Sequence, residues 1–332
     1  MKKLFICLVL VMAVILASGL ASAEGRYAVI FKSAGNPFGE KLMDGFEKAV
    51  KEFGGEAILK APAEPTAEAQ IQMIEQLIAQ HVDAIAISAN DYDALEPALK
   101  KAMRRGIKVV SLDSAVNPDS RDVHINQANP ELIGRVEVQA IYEMIGEEGQ
   151  IAVLSATSQA SNQNLWIEWM KKELKKPKYS NVELVKVAYG DDLRDKSVSE
   201  TEALLKTYPE LKGIIAPTTV GIAAAGKVLT DKGLKGEVYL TGLGLPSEMA
   251  EYIKNGVCPW MYLWNPIDLG YLGAYAAHAL VTGDINGEVG DTFNAGFLGE
   301  KEVIQAGEGT EIMLGAPFKF DVVNIDKWKE VY

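Results

Sequence analysis

From Arg26 onward the sequence alternates short apolar, β-rich runs with amphipathic stretches, and it does so twice. Tyr27-Ala28-Val29-Ile30-Phe31 reads as a buried strand. Asn36 then caps a helix with Pro37 in its first turn, and Phe38, Leu42, Phe46, Ala49 and Phe53 recur at helical spacing until Gly54-Gly55 ends it. Strands at 57–59, 84–88 and 108–112 alternate with helices at 67–80 and 95–105. After Asn126 the order restarts, with strands at 150–154, 182–188, 213–216 and 238–240 and helices at 164–174, 200–207 and 221–229. Strands separated by helices of this length predict parallel sheets covered on both faces and joined by right-handed crossovers. The expected fold is α/β, with two similar doubly wound parallel-sheet lobes.

No low-complexity linker separates the halves. A helix at 269–281 follows Trp264-Asn265-Pro266 and is expected to return to the first lobe, with a second crossing near Thr292. The expected lobes are 24–126 plus about 264–291, and 127–263 plus about 292–332, joined by a multi-strand hinge. Ligands of such sheets sit past the C-terminal ends of the strands, so the expected cleft lies between the lobes.

The chain starts with Lys2 and Lys3, an apolar stretch from Leu4 to about Leu16, and Ala21-Ser22-Ala23. That is the pattern of a secretory signal peptide, residues 1–23, too short in its apolar part to span a membrane. Cleavage would leave about 309 of the 332 residues, enough for two domains. Cys258 would be the remaining cysteine, so no internal disulfide is expected. The leader holds two of the 33 basic residues, leaving 31 against 45 acidic ones and a net charge of −14. Such a balance repels phosphate backbones and anionic lipid, so nucleic acid and membrane surface are poor partners.

Candidate ligand contacts follow strand ends. Lys32 and Asp113 could hold hydroxyls by charge-assisted hydrogen bonds, or form a plain ion pair at a sheet edge. Asn162 and Gln163 offer paired donors and acceptors, and Asn162 could equally cap a helix. Pro217, Thr218 and Thr219 follow the strand ending at Ala216. Phe38, Trp166 and Trp264 could stack on a sugar ring or simply pack in the core. His81, His124 and His278 have no metal-ligand spacing, and no G-x-S-x-G elbow occurs. Gly242-Leu243-Gly244 reads as a tight turn rather than a dinucleotide fingerprint, and Asp191-Asp192 as a solvated acidic loop rather than a calcium site. No enzyme, metal or cofactor is expected.

Asn36-Pro37-Phe38, Val109-Val110-Ser111-Leu112-Asp113 and Pro217 through Ala225 resemble the type I periplasmic sugar-binding proteins of ABC importers over nearly the whole mature chain. Ser161-Asn162-Gln163-Asn164, Tyr189-Gly190-Asp191-Asp192, Leu240 through Pro246 and Leu263-Trp264-Asn265-Pro266 look most like its rhamnose-binding and autoinducer-2 receptor branch. The resemblance implies a monomer that closes on a small sugar and delivers it to a transporter permease. Ribose and galactose binders of the family carry an Asp near the turn where Leu243 stands, and an apolar contact there suits a methyl-bearing ligand. Lys32, Asp113, Gln163 and Pro217 match the autoinducer-2 pattern, but Asn162 and Thr219 depart from it and look more like the rhamnose type. L-Rhamnose is the expected ligand, with autoinducer-2 as the alternative. A sensor that hands its ligand to a chemotaxis partner shares these features. A transcription regulator would instead need a basic headpiece.

Overall fold

The computed structural model describes Gly25–Tyr332, so the expected signal peptide at 1–23 lies outside the described residues. The first repeat runs β1 (Arg26–Ile30), α1 (Pro37–Glu52), β2 (Glu56–Lys60), α2 (Ala67–Ala79), β3 (Ala84–Ile87), α3 (Glu96–Met103), β4 (Lys108–Leu112) and β5 (Val123–Asn126). Residues of β3 are wholly buried and those of β1 and β4 nearly so, as expected of strands covered on both faces. Asn36 caps α1 as the sequence predicts, its Oδ1 accepting the Phe38 N–H at 3.0 Å.

The second repeat runs α4 (Pro130–Met144), β6 (Gly149–Ser155), α5 (Ser161–Leu174), β7 (Val182–Tyr189), α6 (Arg194–Thr207), β8 (Leu211–Ala216), α7 (Thr219–Asp231), β9 (Tyr239–Gly242), α8 (Pro246–Asn255) and β10 (Trp260–Leu263). Its four-stranded parallel sheet has the order β7-β6-β8-β9. The chain then returns to the first sheet through α9 (Pro266–Thr282), which packs along α1.

That contact is unusually close. A Cβ added to Gly270 would lie 1.8 Å from the Leu42 carbonyl oxygen, and one on Gly45 would lie 1.9 Å from that of Ile267. Backbone cannot yield as a flexible side chain does, so the helices would have to separate. Gly270→Ala is expected to lower stability by about 1–3 kcal/mol despite alanine's better helix propensity. Urea denaturation checks this, and an unchanged or raised midpoint would contradict it.

The second crossing comes later than the sequence suggests. After the antiparallel pair β11 (Thr292–Asn294) and β12 (Glu300–Glu302), β13 (Ile304–Ala306) and β14 (Gly309–Met313) extend the first sheet. Glu311, Ile312 and Met313 pair in parallel with His124, Ile125 and Asn126. The first sheet is therefore seven-stranded, β13-β14-β5-β4-β3-β1-β2. Crossing near Thr292 is thus corrected to the stretch after Met313, because β5 would otherwise present an open edge that β14 covers. β15 (Phe318–Asp321) then pairs antiparallel with β10 in the second lobe. Three strands of chain connect the lobes, at 126–130, 263–266 and 313–318.

Helix α4 buries Glu137 completely, and neither of its carboxylate oxygens has a hydrogen-bond partner among the described residues. Burial pushes its carboxyl well above the usual carboxylate range. The folded protein therefore holds this proton more tightly than the unfolded chain, and stability falls as pH rises from about 4.3 through the raised folded value. Glu137→Gln is expected to raise the urea midpoint at pH 8, with the gain shrinking toward pH 5. A gain equal at both pH values would show that charge is not its cause.

Candidate functional site

Lys32 lies just past β1 and Asp113 just past β4, so parallel neighbours bring both to the same end of the first sheet. Asp113 adopts the left-handed backbone (φ 60°), which turns its side chain off the strand line. Lys32 Nζ stands 3.2 Å from Asp113 Oδ2, and the two side chains are 8% and 7% exposed. Ser88 Oγ also donates to Oδ2, at 2.8 Å. The Lys32 carbonyl accepts a hydrogen bond from Asn90 Nδ2. The ion pair anticipated from sequence therefore exists, and it faces the space between the lobes.

From the second lobe, Asn162 and Gln163 occupy the first turn of α5. The helix begins at Ser161, three residues earlier than its apolar spacing suggests, and its N-cap is Ala160 rather than Asn162. Asn162 spans the lobes instead. Its Nδ2 donates to Asp113 Oδ1 at 2.9 Å, and its Oδ1 accepts from Ser114 Oγ at 2.9 Å and from the Gln163 N–H at 2.8 Å. Gln163 Oε1 accepts from Ser155 Oγ and the Ala156 N–H, at 2.8 and 2.7 Å, which anchors its amide to the end of β6. Its Nε2 is the donor those bonds leave over.

Pro217 and Thr219 bracket the start of α7, where the Thr218 hydroxyl donates to Asp192. Leu243 follows β9 and is 2% exposed. The turn before it needs glycine: Gly242 has φ 150°, and a Cβ there would meet the Ala216 carbonyl oxygen at 2.0 Å. That approach lets the Leu243 N–H donate to Ala216 O at 3.0 Å, while the Gly244 N–H donates to Tyr262 O at 3.1 Å. Phe38, Trp264 and Trp166 form a chain of edge-on rings with centroid separations of 6.3 and 5.7 Å.

All ten sequence-predicted residues, Lys32, Phe38, Asp113, Asn162, Gln163, Trp166, Pro217, Thr219, Leu243 and Trp264, line one cavity of about 360 Å³. Phe31, Asn36, Asp192, Thr218 and Leu263 complete its wall. Asp192 corrects the reading of Asp191-Asp192 as a solvated loop. Both residues are left-handed, with φ near 54° and 53°, so Asp191 pairs outward with Lys196 while Asp192 turns in to Thr218. Burial raises the Asp192 carboxyl above its ordinary range, opposed by the charge of Lys32. The signal for it was present in Tyr189-Gly190-Asp191-Asp192. Charge alone does not say which of two adjacent aspartates turns inward.

Residues 27–285 match the family model of the periplasmic binding protein domain. The chain belongs to the periplasmic binding protein family. The family places its members in the periplasm, and no helix among the described residues is long and apolar enough to cross a membrane. This periplasmic binding protein is similar to an ABC transporter solute-binding protein of Clostridium phytofermentas solved with bound L-rhamnose, at 50% identity and TM-score 0.91, over 93% of this chain and 99% of that one. It also shares its fold with LsrB from Clostridium saccharobutylicum in complex with AI-2, at 24% identity and TM-score 0.86, over 91% and 99%. Among curated proteins it is 24% identical over 273 residues to the D-allose-binding periplasmic protein of Escherichia coli, covering 78% of this chain and 85% of that protein. These relatives are sugar-binding transport proteins rather than enzymes.

Proposed function

We propose that this protein captures a small sugar, L-rhamnose first, between its lobes and presents it to the permease of an ABC importer. The observation that carries this reading is the mixed polar and apolar lining of the cavity. Its lining combines the polar Lys32, Asp113, Asn162 and Gln163 with the apolar Leu243 and the Phe38–Trp264–Trp166 rings. A 6-deoxy sugar has the same mixed character, with hydroxyls on one part and a methyl group on another. A 50% identical relative with L-rhamnose bound supports the choice. As parts of the ligand site, Pro217, Thr219 and the other lining residues belong to this proposal.

Closure follows from where the groups sit. Lys32 and Asp113 come from the first lobe, and Gln163, Thr219 and Leu243 from the second. A ligand contacting both sets gains contacts in the closed state that the open state lacks, and that difference draws the lobes together. The bonds from Asn162 to Asp113 and from Ser114 to Asn162 already cross between the lobes, so closed lobes carry their own hydrogen bonds besides those to ligand.

Autoinducer-2 is the second reading, favoured by Lys32, Asp113, Gln163 and Pro217 on one small cavity. Calorimetry on ligand-stripped protein with L-rhamnose, autoinducer-2 and ribose separates them. Saturable heat with L-rhamnose and little with ribose is expected. Silence with all three ligands would sink the proposal.

A further inference from the structure

A second and larger cavity, open to solvent, also lies between the lobes, on the other side of Asp113, Asn162 and Trp166, which line both spaces. Its own wall includes Tyr92, Arg121, His124, Gln127 and Glu311. Nothing in the sugar reading uses these groups.

Their hydrogen-bonding balance is uneven. The carboxylates are already engaged: Glu311 accepts from Asn126 Nδ2 at 2.9 Å, and Asp113 is held by Lys32, Ser88 and Asn162. The Arg121 side chain, in contrast, has one hydrogen bond among the described residues, from Nη1 to Ser111 Oγ at 3.2 Å. A guanidinium has five N–H donors, so most of its capacity is unspent. Burial makes its proton easier to lose, opposed by the nearby Tyr92 and Glu311 on the same wall. His124 adds no second charge, because burial and the neighbouring Arg121 hold it well below its ordinary range.

Gln127 sharpens the point. It is fully buried on this wall, and neither its amide nitrogen nor its amide oxygen has a partner among the described residues. Buried polar groups without partners are uncommon. Two helices of 15 and 14 residues, α4 and α5, also start at the cavity with Pro130 and Ser161. Their positive ends add to the attraction for an anion.

We propose that this second cavity binds a small oxyanion, a carboxylate or phosphate group, and that its occupancy tightens sugar binding. The guanidinium matches the planar, two-oxygen geometry of such a group. Arg121 and His124 come from the first lobe, whereas Ser161, Leu165 and Trp166 come from the second, so an occupant favours the closed arrangement just as the sugar does. The coupling is reciprocal by linkage. That coupling rests on the sugar reading, but anion binding itself does not.

The test titrates the sugar-free, dialysed protein calorimetrically with sodium phosphate and separately with sodium acetate, against sodium chloride at matched ionic strength. Saturable heat with at least one oxyanion is expected, weakened about tenfold or more in Arg121→Gln, together with an L-rhamnose affinity raised at least about fivefold at saturating anion. Gln127→Leu serves as the second variant should Arg121→Gln fail to fold. It keeps the cavity's cation but removes the amide, and a clear weakening is expected. Absence of saturable heat in the wild type, or wild-type affinity in the folded variants, overturns the site. Anion binding that depends on Arg121 while no sugar binds would uphold it and refute only the sugar reading.

Discussion

Replacing Asp113 by alanine is expected to weaken L-rhamnose binding by roughly 30-fold to several thousand-fold, the equivalent of about 2–5 kcal/mol for a buried, hydrogen-bonded charge deprived of its partner. Three neighbours lose an acceptor at once: Lys32, Ser88 Oγ and Asn162 Nδ2. The ammonium of Lys32 would remain almost buried without its counter-charge, and Asn162 would lose the bond that joins the lobes. Asp113→Asn separates these effects. It keeps an oxygen for Ser88 but cannot neutralise Lys32, so its loss should fall between wild type and alanine. Calorimetry measures the affinity. A dissociation constant within threefold of wild type for Asp113→Ala would remove the pair from the ligand site.

The second large effect concerns the sugar. L-Mannose differs from L-rhamnose by one hydroxyl on C6, and it is expected to bind about 100-fold more weakly, the discrimination typical of an apolar pocket against an added hydroxyl. The reason is Leu243, which is almost fully buried on the cavity wall and offers no hydrogen bond to a group that must shed water to enter. Leu243→Ala should narrow the gap by admitting water beside C6. Competition titrations with the two sugars check both statements. Equal affinities in the wild type would mean that the methyl group lies elsewhere.

Much of this molecule is legible without coordinates because the signals are local. Asn36-Pro37 announces α1, and its apolar residues recur every three or four positions. Each strand ends in a recognisable loop, and parallel strands deliver those ends to one side. Locating Lys32, Asp113, Asn162 and Pro217 therefore required only counting from strand ends. Helix α4 escaped that reading although Asn129-Pro130 repeats the Asn36-Pro37 signal and the Asn129 side chain does accept the Leu132 N–H. Its buried face includes Gly134 and Glu137, which blurs the apolar stripe. Residues 292–321 escaped for a different reason. Two of their short strands, β14 and β15, pair with β5 and β10, more than 180 and about 60 residues distant in the chain. Partners that far away leave no mark on the local pattern.

What the sequence determined by itself is the repeated α/β order, the parallel sheets and the residues at the ends of their strands. All of these follow from backbone propensity, capping and apolar spacing within a few turns of chain. Only the tertiary structure decided that the chain stays with the first sheet until Met313, that Asp192 turns inward while Asp191 does not, and that Asn162 reaches across to Asp113 instead of capping its own helix. Each of those outcomes depends on a left-handed residue or on a partner from a distant part of the chain. Such choices are made by packing, which no window of sequence contains.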